Sequence, residues 1–180
     1  MRKLFATVAL TSLAATSVWA ETGYIGAEIG QVDAEFTADY FSGSFDSQPT
    51  AFRVKGGSEL NPNLAIEGYL GMGLGKDTIE DTEIDAEVDT MIGLDVKGLL
   101  PLGDAAKLYA KVGLARITFE DSDNDEYSKN GFSYGVGGQV SINETMAITL
   151  DYTVFPDAEN KEYELDVESQ MISIGFQYYP

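Results

Sequence analysis

The chain contains no cysteine and no histidine, and it carries only eleven lysines and arginines against thirty acids. Each shortage removes a class of protein. Without cysteine no disulfide is available, so an exported domain must be held together by its own core or by a membrane. Without histidine the usual general base near neutral pH is missing, and most Ser-His and other histidine-dependent hydrolases go with it. The excess of acid repels nucleic acid and anionic substrates. Long apolar runs are also missing, with one exception at the start.

That exception reads as a leader. Residues 1–20, MRKLFATVALTSLAATSVWA, place Arg2 and Lys3 before an apolar stretch from Leu4 to Leu13 and end on Val18-Trp19-Ala20. Small residues thus occupy the two positions that a signal peptidase reads, and the stretch is too short and wrongly flanked for a spanning helix. The expected organisation is a signal peptide, 1–20, followed by one domain, 21–180. In that domain nine bases face thirty acids, a formal charge of −21.

What the rest contains is alternation. Ile25, Ala27 and Ile29 oppose Tyr24, Gly26, Glu28 and Gly30; Phe52 and Val54 oppose Arg53 and Lys55; Ile66, Leu70 and Met72 oppose Glu67, Tyr69 and Gly71. A fourth run sets Val88, Ile92, Leu94 and Val96 against Asp89, Gly93, Asp95 and Lys97. Leu108 to Leu114, Phe132 to Ile142, Met146 to Val154 and Ile172 to Tyr178 continue the pattern, with Lys111 and Asp151 in the opposite register. A period of two means strands with one apolar face. The connections after runs two, four and six are short, and the others are longer and acidic. This asymmetry predicts an all-β, eight-stranded antiparallel up-and-down transmembrane barrel with short periplasmic turns, both termini periplasmic, and four long acidic extracellular loops.

Two solvents suit such an apolar face. In a secreted lipocalin-like barrel it would line an enclosed calyx; in a membrane barrel it meets lipid. The charges favour lipid. The register opposite the apolar one holds Glu28, Glu67, Asp89, Asp95 and Asp151 with Arg53, Lys55, Lys97 and Lys111, a sum of −1, so the excess acid lies in the loops. Near-neutrality is needed on an enclosed polar face and not on a wet one. These nine residues are expected to form a lumen ion-pair network that plugs a narrow barrel; a gated ion path is the alternative. Several glycines share that register, as a crowded interior requires.

QMISIGFQYYP, Gln170–Pro180, resembles the terminal strand of bacterial outer-membrane barrels. TGYIGAEIG resembles the first strand of the OmpA-like transmembrane domain and of its OmpX, Ail and opacity-protein relatives; LNPNLAIEGYLG and LYAKVGLA resemble its second hairpin and fifth strand. The resemblance implies an outer-membrane location, insertion by the barrel assembly machinery through a signal strand carrying Gly175, Phe176 and Tyr178, and an interior acid–base network including Glu28 and Glu67. Thr149 stands where the family's partner base is expected, so Arg53 or Lys111 would substitute, and Pro180 follows the usual terminal aromatic. Function is expected to be non-enzymatic, through envelope integrity, adhesion or environment contact by the loops, in a monomer without cofactor; a small ion-permeable porin is the alternative.

Smaller features add expectations. Asp121, Asp123 and Asp125 open like a calcium loop, but Glu126 and Phe132 break the motif, leaving at most weak divalent binding that bridges loops to lipopolysaccharide phosphates. Arg116 is the one base in the apolar register, either snorkelling to the rim or pairing with a lipid phosphate. Tyr24, Phe52, Phe132, Tyr134, Tyr152 and Tyr178 are candidates for interfacial belts. Leu165 and Val167 sit out of register with Ile172 and Ile174, implying a bulge near 168–170 or an extracellular extension.

Overall fold

The structure, a computed structural model, describes residues 23–38, 44–74, 77–78, 85–121, 126–156, 158–160 and 165–180. Eleven strands appear there: β1 (Gly23–Ala38), β2 (Ser44–Ser47), β3 (Thr50–Asn61), β4 (Leu64–Gly73), β5 (Asp77–Thr78), β6 (Asp85–Pro101), β7 (Ala106–Asp121), β8 (Glu126–Ser141), β9 (Met146–Val154), β10 (Ala158–Asn160) and β11 (Leu165–Tyr178). Eight of them, β1, β3, β4, β6, β7, β8, β9 and β11, pair antiparallel with their sequence neighbours, and β11 returns to β1 from Ile25↔Tyr178 to Ala38↔Leu165. The sheet is closed, so no edge is left unpaired around the wall. The short β2, β5 and β10 add to β1, β6 and β11 beyond the loop end of the wall.

The turns explain themselves locally. In the β3–β4 turn the Asn61 carbonyl side chain accepts the Asn63 amide at 2.8 Å, and in the β8–β9 turn Asn143 accepts the Thr145 amide at 2.9 Å. Both are Asx turns, the geometry that makes asparagine a turn residue. The β6–β7 turn instead uses Gly103, whose φ of 82° is open to glycine at no steric cost.

The wall is strongly staggered. Following directly paired residues from Glu28 one way around leads through Arg53, Gly71, Met91 and Ile117 to Lys129. The other way leads through Gly175 and Thr149 to Gln139, ten residues further along the same strand. Such a stagger tilts the strands and leaves an interior wide enough only for side chains.

Outward positions are apolar and bare: Ile25, Leu94, Leu114 and Ile172 are each 60–64% exposed. Along β8 and the first residue past it the band runs from Phe132 to Ile142, about 33 Å of chain, or about 25 Å along the axis at a tilt of about 40°, the height of a hydrocarbon layer. The apolar face therefore looks out, and the calyx arrangement of a lipocalin is excluded.

Three sequence expectations need correction or resolution. A bulge between Val88 and Thr90 shifts the β6–β7 register, so Val88 turns inward and Asp89 turns out, where it is exposed and accepts a hydrogen bond from the Thr90 hydroxyl at 2.9 Å. One extra residue flips every side chain beyond it. Tyr24 does not join an interfacial belt: its even position shares the register of Glu28, and Gly57 directly opposite makes room for its ring inside. Phe132, Tyr134, Tyr152 and Tyr178 do face outward. Finally, β11 pairs with β1 without any register shift, so Leu165 and Val167 belong to an extension above the end of β9 rather than to a bulge.

Candidate functional site

The inward register builds a column of three layers. At the turn end, Lys107 Nζ lies 2.6 and 2.7 Å from the two carboxylate oxygens of Glu59. Tyr179, just past β11, folds under the mouth: its hydroxyl donates to Glu59 at 3.2 Å and accepts from Gln139 at 2.9 Å, its amide donates to the Thr145 carbonyl, and its ring lies 5.5 Å from that of Tyr24. Burial, and then the Glu59 carboxylate, raises the Tyr179 phenol above its ordinary value, so it stays a neutral donor.

The middle layer is ionic and almost fully enclosed. Glu28 accepts from both Arg53 and Lys55, the latter at 2.7 Å. Lys55 continues to Asp151 at 3.3 Å, and Asp151 also takes Lys111 at 2.9 Å and the Tyr109 hydroxyl at 2.7 Å. Glu67 receives the Tyr24 hydroxyl at 2.7 Å, Lys97 at 3.2 Å and Gln177 at 3.4 Å. Lys97 also sits 3.9 Å above the centre of the Tyr109 ring, and Arg53 stacks 4.8 Å from Tyr69. Asp95 stands apart, receiving only the Ser133 hydroxyl at 3.3 Å, with no base of the described residues within ion-pair distance.

With Asp89 outside, Glu28, Glu67, Asp95 and Asp151 face Arg53, Lys55, Lys97 and Lys111, four acids against four bases. The formal charge of this layer is zero among the described residues. Thr149, where a base was expected, is fully buried and offers its hydroxyl oxygen to Lys55 at 3.5 Å; Arg53, Lys55 and Lys111 pair with Glu28 and Asp151 around it, and Lys97 pairs with Glu67.

Aromatic rings fill the space between the pairs, each laid over a directly opposed glycine: Tyr24 over Gly57, Tyr69 over Gly93 and Tyr109 over Gly137. A Cβ added at Gly137 would lie 2.5 Å from the Tyr109 ring, whereas at the outward Gly138 the nearest atom would be 3.5 Å away. Gly137→Val is thus expected to cost about 1–3 kcal/mol through overpacking, read from urea unfolding in lipid vesicles, while Gly138→Val leaves stability unchanged.

The third layer was not anticipated from sequence. Toward the loop end the inward side chains turn apolar: Val32, Ala51, Val88, Met91, Ala115, Ile117, Phe155 and Met171 form one buried cluster with Tyr69. Phe155 comes from just beyond β9 and is tied by its amide to the Ser169 carbonyl at 2.9 Å. An apolar stopper thus sits above the ionic layer.

Of the remaining sequence candidates, Gly175 faces inward between Glu28 and Thr149, while Phe176 and Tyr178 face outward. Asp121 ends β7, and Asp123 and Asp125 lie outside the described residues. Among the described residues no group of three or more metal-ligating side chains gathers. Tyr24, Tyr109, Gln177 and the Glu59–Lys107 pair were missed, although their positions share the charged register.

Comparison with known proteins agrees with this architecture. No curated protein sequence matches the chain. Among solved structures, Ail, the attachment invasion locus protein of Yersinia pestis, is 18% identical with a TM-score of 0.55, covering 87% of this chain and 99% of its own. Neisserial surface protein A is 15% identical with a TM-score of 0.57, covering 88% and 97%. The N-terminal barrel of Pseudomonas aeruginosa OprF is 12% identical with a TM-score of 0.52, covering 85% and 96%. At these identities the likeness concerns the fold. The family model for the outer membrane protein beta-barrel domain matches residues 4–179, nearly the whole chain, and with its closed wall and apolar belt this chain belongs to that family and resides in the bacterial outer membrane.

Proposed function

We propose that the protein is a non-enzymatic, non-conducting barrel that serves the cell surface through the acidic segments joining its strands, in envelope integrity, adhesion or contact with the surroundings. The observation that carries this reading is the double closure of the lumen. A neutral ionic layer is topped by a stopper in which Val32, Met91, Ile117 and Met171 are fully buried, and an ion crossing it would have to shed its hydration in an apolar constriction. The absence of histidine supports the non-enzymatic part. The protease OmpT of Escherichia coli shares the fold at 7% identity, which carries no activity over.

Charge narrows the choice of partner. The Ail structure contains a heparin analogue, sucrose octasulfate, but a chain with thirty acids, of which Glu28, Glu67, Asp95 and Asp151 are enclosed, favours cationic groups or contacts bridged by divalent ions. Outward Phe176 and Tyr178 on the closing strand suit a face read during insertion by the assembly machinery. Planar-bilayer recording of the purified protein is expected to show no conductance above background. Discrete channels that change on Glu67→Gln would support the small porin instead.

A further inference from the structure

Among the described residues, Arg116 is the one base on the outward face; Arg53, Lys55, Lys97, Lys107, Lys111 and Lys129 all occupy the inward register. It stands one step above the belt. Outward Leu114 and Phe132, 60% and 75% exposed, lie directly below it, and it is paired across the sheet with Asn130, also exposed. Its Nη2 donates to the Ser128 hydroxyl at 3.1 Å, leaving four of its five N–H groups without a partner among the described residues. No carboxylate of the described residues reaches ion-pair distance. In a chain with almost three acids per base, a cation on the lipid side has no counter-ion among the described residues.

We propose that Arg116, with Asn130 and Ser128, holds the phosphate of an outer-leaflet lipid headgroup. The guanidinium fork matches two phosphate oxygens at once, the Asn130 amide is a further donor beside it, and the Ser128 contact orients the fork. Position selects the source of the phosphate. The patch lies where the apolar band ends, so a lipid whose acyl chains lie along Phe132 and Leu114 brings its headgroup to this level. A soluble polyanion must instead approach through the field of a strongly acidic surface. This contact is also distinct from divalent bridging between acidic loops and lipid phosphates, since it needs no metal ion.

The test uses the purified protein in bilayer discs containing equal amounts of diphosphoryl and dephosphorylated lipid A, with a chelator present. Lipids retained by the protein are identified by native mass spectrometry. The wild type is expected to retain the phosphorylated form about five-fold over the other, the size of one basic side chain at a charged membrane surface. Arg116→Gln should abolish the preference, and Arg116→Lys should keep part of it, because charge remains while the fork is lost. A heat-dependent gel shift unchanged in Arg116→Gln shows that the barrel still closes. Equal preference in Arg116→Gln, loss of preference in the wild type on chelation, or displacement by millimolar inorganic phosphate would each overturn the proposal.

Discussion

Asp151→Ala is expected to unfold the barrel at much lower denaturant, with a loss of about 3–5 kcal/mol. Asp151 is 1% exposed and takes Lys55 at 3.3 Å, Lys111 at 2.9 Å and the Tyr109 hydroxyl at 2.7 Å. Removing it leaves Lys55 with Glu28, but Lys111 loses its ion-pair partner inside a wall that water cannot easily enter. The penalty is therefore that of an uncompensated buried charge, larger than the net worth of the pair. Asp89→Ala is the matching control, because the bulge places that acid outside; its effect should stay within about 0.5 kcal/mol. Urea unfolding in vesicles, followed by circular dichroism, measures both; the single tryptophan, Trp19, lies outside the described strands and is no probe of them. A Asp151→Ala loss below about 1 kcal/mol, against the 3–5 expected of a broken buried pair, would mean that the ionic layer is hydrated.

Leu150→Arg should destabilise the protein in bilayers by about 2–4 kcal/mol. Leu150 is 59% exposed, in the middle of β9, and lies between Gly138 and Ile174 at mid-height of the belt. In water an arginine there would cost nothing, and would even improve solubility. In hydrocarbon it must snorkel about half the membrane thickness or drag water inward. The same substitution at Ala105, exposed in the β6–β7 turn outside the band, should be neutral. A cost at Leu150 as small as at Ala105 would contradict lipid contact on this face.

Much of this was legible in the residues because a strand displays its two solvents at a fixed period. Glu28, Arg53, Lys55, Glu67, Lys97, Lys111 and Asp151 alternate strictly with apolar neighbours, and strict alternation maps onto inside and outside without knowledge of the partners. Asp89 failed for a local reason: a bulge changes parity, and nothing in Val88-Asp89-Thr90 announces one. Tyr24 was misplaced because an aromatic near a strand end suits both an interfacial belt and a glycine-backed interior, and only the opposing Gly57 decides. The stopper stayed hidden for a different reason. Val32, Met91, Ile117 and Met171 keep the inward parity, but they are apolar where that register is otherwise charged; Val32 lies between Gln31 and Asp33 and Ile117 between Arg116 and Thr118, so toward the loop end polarity no longer tells inside from outside. Which base meets which acid depends on the stagger of the closed wall, a quantity belonging to the whole ring and to no single run.

Apart from Phe155, the stopper is contributed by wall strands rather than by the segments that join them. In the proposed function, impermeability and recognition are then separate properties of the molecule. The outer connections can exchange residues, lengthen or shorten under selection for new contacts, while the membrane stays tight beneath them.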